Sequence, residues 1–310
     1  MIYESLWVEK YAPQTIDDCI LPQYIKKQFL DIRASQQVPN MILNGPRGIG
    51  KTSTILALAK ELERDLMIIN GSDERTIDVI RNKVKNYASA VSFTPGKKIL
   101  LIDEGDNMTQ DAQLALRGCI EELQKNCSFI FTCNNLNGIN EALQSRCPPL
   151  TFKIPSAERT NLMKQFYVRI NSILEKENVT CEDSRILIKF VARYFPDFRK
   201  TLHLLETHSK SGTITTNILS QASDVRLSSL YTSLKEKRFN DVRKWVVDNL
   251  ENDPILILRR FYDGIDSVME KHSIPAAILI IHEHMSSNVM DNEINLLACF
   301  TKIMVDCEWL

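Results

Sequence analysis

Residues 45–52 of the chain read Gly45-Pro46-Arg47-Gly48-Ile49-Gly50-Lys51-Thr52. This stretch fits G-x-x-x-x-G-K-[ST], the phosphate-binding loop of nucleoside triphosphatases. The short apolar run at residues 41–43 predicts a buried strand before it, and residues 53–62 have a helical pattern after it. Because strand, glycine loop and helix is the context that this motif needs, we interpret it as a triphosphate site rather than as a glycine-rich turn that matches by chance.

The loop predicts how its residues would meet a triphosphate. Its glycines let successive backbone N–H groups point at one anion, and the helix N-terminus adds a partial positive charge. We expect the Lys51 ammonium to reach the β- and γ-phosphates, and the Thr52 hydroxyl to hold Mg²⁺. The residues expected to bind the nucleotide are Gly45, Pro46, Arg47, Gly48, Ile49, Gly50, Lys51, Thr52 and Ser53.

Composition places the chain among ordinary globular proteins. Its 310 residues suffice for more than one domain, and 44% hydrophobic with 25% charged residues is typical of a soluble fold. The net charge of −1 gives no overall attraction to nucleic acid or membrane. No apolar run approaches the ~20 residues that span a bilayer, and the N-terminal residues lack a secretory pattern. We therefore expect no membrane partner. Because the eight cysteines lie singly, with no C-x-x-C pair, we expect reduced thiols in a cytoplasmic protein.

The order of apolar segments predicts the domain organisation. Four more strands are expected after the loop, at residues 66–70, 99–102, 128–132 and 150–153. The middle ones are nearly continuous apolar runs, which is typical of a parallel sheet covered by helices on both faces. We therefore expect an α/β domain with a five-stranded parallel sheet over residues 1–153. Only helical spacing follows, which predicts a small helical domain over residues 154–225 and an antiparallel helical bundle over residues 226–310.

Polar residues follow two of the predicted strands. Asp103 and Glu104 end an apolar strand, which is a Walker B pattern: we expect Asp103 to support Mg²⁺ and Glu104 to orient and polarise the attacking water. Without the phosphate loop, a strand that ends in a solvated acidic turn would explain them better. Asn134 follows the next strand, where ligands of α/β proteins bind, and it is a candidate for the γ-phosphate or the water. An asparagine in an ordinary turn explains it equally well.

The positions of two arginines in the sequence do not by themselves indicate a function. Arg146 precedes two prolines and is expected on an exposed turn, where it reads as a surface arginine. Arg199 follows Pro196-Asp197-Phe198 and reads as an arginine at the start of a helix.

Seven short motifs in order resemble one family, the AAA+ clamp-loader ATPases of the replication factor C small-subunit type. The motifs are Leu6-Trp7-Val8-Glu9-Lys10-Tyr11-Ala12-Pro13, Asn70-Gly71-Ser72-Asp73-Glu74-Arg75, Asp103-Glu104-Gly105-Asp106, Asp111-Ala112-Gln113-Leu114-Ala115-Leu116-Arg117, Phe131-Thr132-Cys133-Asn134, Gln144-Ser145-Arg146-Cys147 and Asp197-Phe198-Arg199-Lys200. The match extends to about residue 208. Residues 20–22 and 195–201 look closest to the T-even-type bacteriophage branch of that family.

The resemblance implies a fold and roles for the two arginines. Residues 1–153 would form the AAA+ ATPase domain, residues 154–225 a helical lid with the sensor-2 motif, and residues 226–310 an oligomerisation collar. The implied cofactors are ATP and Mg²⁺. Arg146 would be an arginine finger that completes the ATP site of the neighbouring subunit in trans, and Arg199 would reach the γ-phosphate in its own chain.

The resemblance also implies partners. Family members form a five-subunit spiral, here with copies of the chain and a distinct subunit, that opens a ring-shaped sliding clamp. Primer–template DNA, contacted through its backbone, then triggers hydrolysis and release. The implied DNA-contact residues are Arg75, Arg81, Lys83 and Gln113, the last as a coupling glutamine; from the residues alone, a solvated basic face is an equal alternative for Arg81 and Lys83. A phage-encoded member would act in the host cytoplasm.

Two departures from the family pattern stand out. Ala12 replaces an arginine in W-V-E-K-Y-R-P, where the family has a contact near the nucleotide. Gly118 replaces the second arginine of A-L-R-R, which in the family links DNA and the central helix to the Walker B carboxylates. Two other functions compete with the clamp loader. A branch-migration helicase would add a winged-helix domain with a β-hairpin, whereas residues 227–310 show helical stripes only. A purely structural subunit would lack site residues that are present here, including Lys51 and Arg146.

Overall fold

The computed structural model describes residues 6–72, 77–91, 96–216, 218, 227–250, 253–285 and 291–310. The chain divides into two compact units, residues 1–218 and residues 219–310. Within the described residues, no helix is both long and apolar enough to cross a membrane. The sequence-based boundaries after residues 153 and 225 stay predictions.

A five-stranded parallel sheet forms the centre of the first unit, in the order β2-β3-β4-β1-β5. The predicted α/β fold is confirmed, and the strand ends differ from the prediction by no more than two residues. The strands are β1 (Met41–Asn44), β2 (Leu66–Asn70), β3 (Lys98–Asp103), β4 (Cys127–Cys133) and β5 (Pro149–Thr151).

Helices pack on both faces of this sheet, which explains the continuous apolar runs. Alternate residues of β3 and β4 enter two separate cores: Leu100 and Phe129 face one core, and Leu101 and Ile130 face the other. The helices around the sheet are α1 (Trp7–Lys10), α2 (Gln23–Ser35), α3 (Lys51–Glu61), α4 (Ile77–Ser89), α5 (Gln110–Leu123) and α6 (Glu141–Gln144). The cores of α2 with α3 and of α4 with α5 thus fix the sheet from opposite sides.

The first unit continues with the helices α7 (Ser156–Lys176), α8 (Ser184–Tyr194) and α9 (Phe198–Ser209). Helical spacing was expected throughout this region, yet the structure adds two short parallel strands, β6 (Thr180–Cys181) and β7 (Thr213–Ile214). The expectation of helical structure alone after residue 153 is therefore wrong. Two-residue strands are too short to give any periodic signal, which is why the sequence did not predict them.

The second unit is helical, as predicted. Its helices are α10 (Leu227–Lys235), α11 (Phe239–Asp248), α12 (Pro254–Gly264), α13 (Ile274–His284) and α14 (Asn292–Asp306). Asp253 caps α12 by accepting a hydrogen bond from the backbone of Ile255, and proline follows in the first turn. Phe261 and Phe300 have no exposed surface and form the centre of the apolar core.

Candidate functional site

The phosphate-binding loop joins β1 to α3, and its backbone requires glycine, as Gly45 and Gly48 show. A Cβ on Gly45 would lie 2.4 Å from the carbonyl oxygen of Phe152. Gly48 has φ of +71°, and a Cβ there would lie 1.9 Å from Oδ1 of Asp197. The loop therefore curls closely against β5 and against the start of α9.

Lys51 is the first residue of α3, and its side chain returns into the loop. Its ammonium donates to the carbonyl oxygens of Gly45 at 2.6 Å and Pro46 at 2.9 Å, and to Oδ1 of Asn134 at 3.1 Å. Burial lowers the pKa of Lys51 from its ordinary value, because desolvation penalises the charged form. The only side chain among these partners is Asn134, which lies where the sequence placed a γ-phosphate contact.

Hydroxyl and carboxylate oxygens meet beside this lysine. The Thr52 hydroxyl donates to Oδ1 of Asp103 at 2.8 Å, and the Thr132 hydroxyl donates to the same oxygen. Thr132 in turn accepts a 3.1 Å hydrogen bond from the backbone N–H of Glu104. Hard oxygen donors of this kind are the ligands that Mg²⁺ prefers. The donor set at Thr52 and Asp103 therefore fits a magnesium ion.

The Glu104 side chain points to a polar pair beyond β2. Its Oε2 accepts hydrogen bonds from the Ser72 hydroxyl at 2.8 Å and from Nδ2 of Asn107 at 3.0 Å. The Glu104 backbone is left-handed, with φ of +54°, which is uncommon for a residue with a side chain. Such conformations cluster at functional sites, where the surrounding structure holds them in place. Sequence reasoning assigned no role to Ser72 or Asn107.

Asn134 is oriented by an acidic residue of the turn after β3. Oδ2 of Asp106 accepts hydrogen bonds from the backbone N–H groups of Asn134 and Asn135, both at 3.0 Å. This contact ties the end of β4 to the end of β3. In the sequence, Asp106 is only one residue of a motif. The structure shows that its carboxylate holds the backbone of Asn134.

The lid helix α9 begins against the phosphate-binding loop. The backbone N–H of Phe198 donates to the Gly48 carbonyl at 3.0 Å, and Asp197 caps the helix by accepting from the backbone of Lys200 at 2.9 Å. Arg199, one residue further on, lines the same pocket as Lys51 and is exposed. The structure thus brings the predicted sensor-2 arginine to the nucleotide loop.

An apolar end of this pocket escaped the sequence-based prediction. It is lined by Val8, Pro13, Ile20, Leu21, Phe166 and Leu202. These residues come from the N-terminal segment and from two lid helices, so no local pattern reveals that they meet. An ion pair of Lys10 with Glu177 at 2.6 Å and a hydrogen bond from the Trp7 backbone to Glu206 hold the N-terminal segment to the lid. A planar apolar group such as a nucleotide base fits this end.

Arg146 is the one predicted catalytic residue that the structure keeps away from this pocket. Its Nε donates to Oε1 of Glu121 at 2.8 Å, and one terminal nitrogen donates to the same oxygen. The other terminal nitrogen donates to the Ala142 carbonyl at 2.9 Å and to the Ser145 hydroxyl at 3.1 Å. These contacts place the guanidinium on a separate surface, 30% exposed, beside α5 and α6.

The implied DNA-contact residues differ in their exposure to solvent. Arg81 and Lys83 lie exposed on α4, so both are accessible to a phosphate backbone. Gln113 has no exposed surface: its amide donates to the Gly138 carbonyl at 2.8 Å and accepts from the Asn140 backbone at 2.7 Å. The geometry therefore does not support a direct DNA contact by Gln113, which instead joins α5 to the segment before α6. Arg75 lies outside the described residues.

The two departures from the family pattern also have clear positions. Ala12 lines the nucleotide pocket, and the neighbouring Tyr11 carbonyl accepts a 3.3 Å hydrogen bond from Arg169, which lines the pocket as well. Gly118 is exposed on α5, and a Cβ there would meet no atom within 4 Å. Lack of space therefore does not explain why glycine, rather than the arginine of the family pattern, stands at residue 118.

Comparison with protein-family models identifies the two parts of the first unit. Residues 41–153 match the model described as "ATPase family associated with various cellular activities (AAA)". Residues 158–220 match the model described as "Sliding-clamp-loader large subunit, AAA+ ATPase lid domain". Fold, loop and first match together define an ATPase of the AAA class with a nucleotide-binding site.

Full-length relatives narrow the class to a family. The chain is 33% identical to the sliding-clamp-loader large subunit of Enterobacteria phage T4, covering 99% of this chain and 98% of that protein. It is 31% identical to the same subunit of Escherichia phage RB69, covering 98% and 97%. It is also 31% identical to the replication factor C small subunit of Methanothermobacter thermautotrophicus, covering 95% and 88%. The chain belongs to the sliding-clamp-loader family of AAA+ ATPases, and the sequence-based assignment is confirmed.

A solved structure of a RuvB mutant from Thermotoga maritima shares the fold. The TM-score is 0.54 at 17% sequence identity, and the similarity covers 69% of this chain and 73% of that one. At this identity the similarity supports the fold alone.

Proposed function

We propose that the chain is an ATPase subunit of a sliding-clamp loader that binds ATP with Mg²⁺ and hydrolyses it only when a neighbouring subunit supplies an arginine. One observation carries the proposal. Lys51, Thr52, Asp103 and Asn134 converge on one pocket, whereas Arg146 is held on a different surface of the same chain. The nucleotide pocket of a single chain therefore does not contain Arg146, and a neighbouring subunit would supply this arginine.

Binding rests on three parts of the pocket. The loop N–H groups and the α3 N-terminus would hold the phosphates, and Lys51 would exchange its loop carbonyls for β- and γ-phosphate oxygens. Thr52 and Asp103 would hold Mg²⁺, which when bound neutralises charge on the phosphate oxygens. The apolar end near Phe166 would take the adenine base, and Arg199 would reach the γ-phosphate from the lid.

Hydrolysis would use the Glu104 carboxylate to orient a water. Ser72 and Asn107 donate to one of its two oxygens, Oε2, and so restrict how the side chain can turn. Release from this pair would free the carboxylate to turn toward the γ-phosphate. Asn134 would hold the other side of the water or the phosphate.

Assembly supplies the remaining charge. Arg146 of one subunit would reach the triphosphate of the next, as an arginine finger in trans. Such a finger stabilises the charge that develops on the transferred phosphoryl group, and is worth roughly 10³–10⁵ in rate. Further copies of the chain and a distinct subunit would complete a five-membered spiral.

The assembled spiral would act on a ring-shaped clamp and on DNA. Exposed Arg81 and Lys83 on α4 support contacts with the phosphate backbone of primer–template DNA, which require no base recognition. ATP binding would open the clamp, and DNA would trigger hydrolysis and release of the closed clamp.

The test is the steady-state release of phosphate from ATP by the full chain with its partner subunits. Four conditions are compared: no addition, primed DNA alone, a sliding clamp from the same source alone, and both together. We expect stimulation of about fivefold or more with both, the lower end of ordinary coupling between two sites. A rate that neither DNA nor clamp changes would contradict the proposal.

A further inference from the structure

Arg146 is engaged on nearly every side by its own chain. A guanidinium has five N–H donors. Four of them are used: two by Oε1 of Glu121, one by the Ala142 carbonyl and one by the Ser145 hydroxyl. Recognition of a phosphate by arginine is frequently bidentate, through two parallel N–H groups. In this arrangement Arg146 has no free pair of donors for a phosphate.

Glu121 is the only charged group among these partners. Its side chain is 51% exposed, against 30% for Arg146, so the pair lies at the surface and faces solvent on one side. The hydrogen bonds from Arg146 lower the pKa of the Glu121 carboxyl, because they favour its charged form. Arg117 also lies near, with its Nε 3.5 Å from the same oxygen.

We propose that Glu121 is a latch that holds the Arg146 finger within its own chain and competes with the triphosphate of the neighbouring subunit for it. The inference rests on the proposed role of Arg146 as a finger in trans. Because Glu121 acts only through Arg146, it is a positioning residue. The latch keeps the finger ordered but occupied until a stronger anion comes within reach.

The ion pair of Arg146 with Glu121 is weak enough for a phosphate to replace the carboxylate. Exposed ion pairs contribute little free energy, because water screens the charges and both side chains lose freedom. A triphosphate carries several negative charges and offers oxygens on two sides of the guanidinium, so it displaces a single carboxylate readily. The Ala142 and Ser145 contacts leave the carboxylate side of the guanidinium to the incoming phosphate.

The latch also connects the finger to the interior of the domain. Glu121 lies near the end of α5, and the buried Gln113 lies near its start. Gln113 accepts from the backbone of Asn140, which caps α6, and Arg146 follows that helix directly. The finger segment is thus fixed to α5 at two points. A shift of α5 against α6 would loosen the latch without any change at Arg146 itself.

The first test measures the reactivity of Arg146 with phenylglyoxal in the full chain, by mass spectrometry of the peptide that contains it. Glu121→Gln removes the charge with little change in size. We expect Arg146 to react up to about fivefold faster, the factor that an exposed ion pair is worth. Glu122→Gln is the matched control, because Glu122 is the next residue and pairs with Lys85 on α4. Equal reactivity in the wild type and Glu121→Gln, with thermal unfolding unchanged, would overturn the latch.

The second test follows ATP hydrolysis by the reconstituted complex as the concentration of the chain is raised. A released finger should reach the neighbouring site at lower concentration, so the midpoint should fall up to about fivefold in Glu121→Gln and stay constant in Glu122→Gln. A midpoint that rises would show that Glu121 supports the finger rather than competing for it. Arg146→Ala distinguishes a failure of the latch from a failure of the proposed finger. If that variant hydrolyses ATP at the wild-type rate in the complex, Arg146 is not an arginine finger, whatever the result for Glu121.

Discussion

The hydroxyl of Ser72 donates a 2.8 Å hydrogen bond to Oε2 of Glu104, and the Asn107 amide donates to the same oxygen at 3.0 Å. The Asn107 amide also donates to Ser72 at 3.0 Å, so that the three side chains close a small polar triangle. The Glu104 side chain, which lines the same pocket as Lys51, is therefore held by residues outside the phosphate-binding loop. We expect its release to be a step separate from nucleotide binding.

Removal of both donors should release this carboxylate. In Ser72→Ala combined with Asn107→Ala, we expect ATP hydrolysis without DNA to rise by about tenfold or more, because each lost hydrogen bond to a charged carboxylate is worth about 1.5–3 kcal/mol. The measurement is the rate with and without primed DNA. Glu104→Gln is the control: it should bind ATP and lose roughly 10²–10⁴ in rate. A double variant whose DNA-independent rate equals that of the wild type would contradict the holding role.

Lys51 is expected to contribute to both binding and turnover. Lys51→Ala removes the ammonium that lies in the loop, and we expect hydrolysis to fall roughly 10²–10³-fold, as for other positioned donors of a transition state. Phosphate release reports the rate, and fluorescent ATP reports the affinity. Lys60→Ala, at an exposed lysine of the same helix, should change neither quantity. Robust turnover by Lys51→Ala would refute the site.

Arg146 should matter only after assembly. Arg146→Ala is expected to bind ATP as the wild type does, because the residue lies outside the pocket of its own chain, and to lose roughly 10³–10⁵ in rate in the complex. Binding is measured on the isolated chain and hydrolysis on the complex. Arg185→Ala, at an exposed arginine paired with Asp183, controls for loss of a surface charge. Full activity of the isolated wild-type chain would count against a shared site.

Gly118 offers a stability test. The residue lies inside α5 with open space around it, so Gly118→Ala should stabilise the chain by about 0.5–1 kcal/mol, because glycine loses more backbone freedom in a helix. The melting temperature should rise by roughly 1–4 °C. Gly212→Ala has equally open space, but φ of +76° there should make the substitution destabilising. A lower melting temperature for Gly118→Ala would show that α5 needs its glycine.

Local patterns predicted the sheet and the phosphate-binding loop, because each depends on residues that are neighbours in sequence. Parallel strands end at a common edge, so Asp103 and Asn134 were expected beside the loop without knowledge of their contacts. The partners of Glu104 were not predicted, because Ser72 precedes it by 32 residues and their meeting depends on side-chain orientation. The burial of Gln113 escaped prediction for the same reason: a glutamine in an amphipathic helix reads as exposed unless its backbone partners are known.

The lid helix α9 contacts both the phosphate-binding loop and the N-terminal helix α1. Its first residue, Phe198, is bonded to Gly48, and Glu206, two turns later, accepts a 3.2 Å hydrogen bond from the backbone of Trp7 in α1. The helix thus connects the loop with the N-terminal segment, whose Val8 and Pro13 line the apolar part of the pocket. A loop that changed shape around an extra phosphate would move one end of this helix, while the contact with Trp7 would hold the other. A bound triphosphate and a bound diphosphate would then give α9 two different tilts, and the rest of the molecule would sense the nucleotide through that tilt.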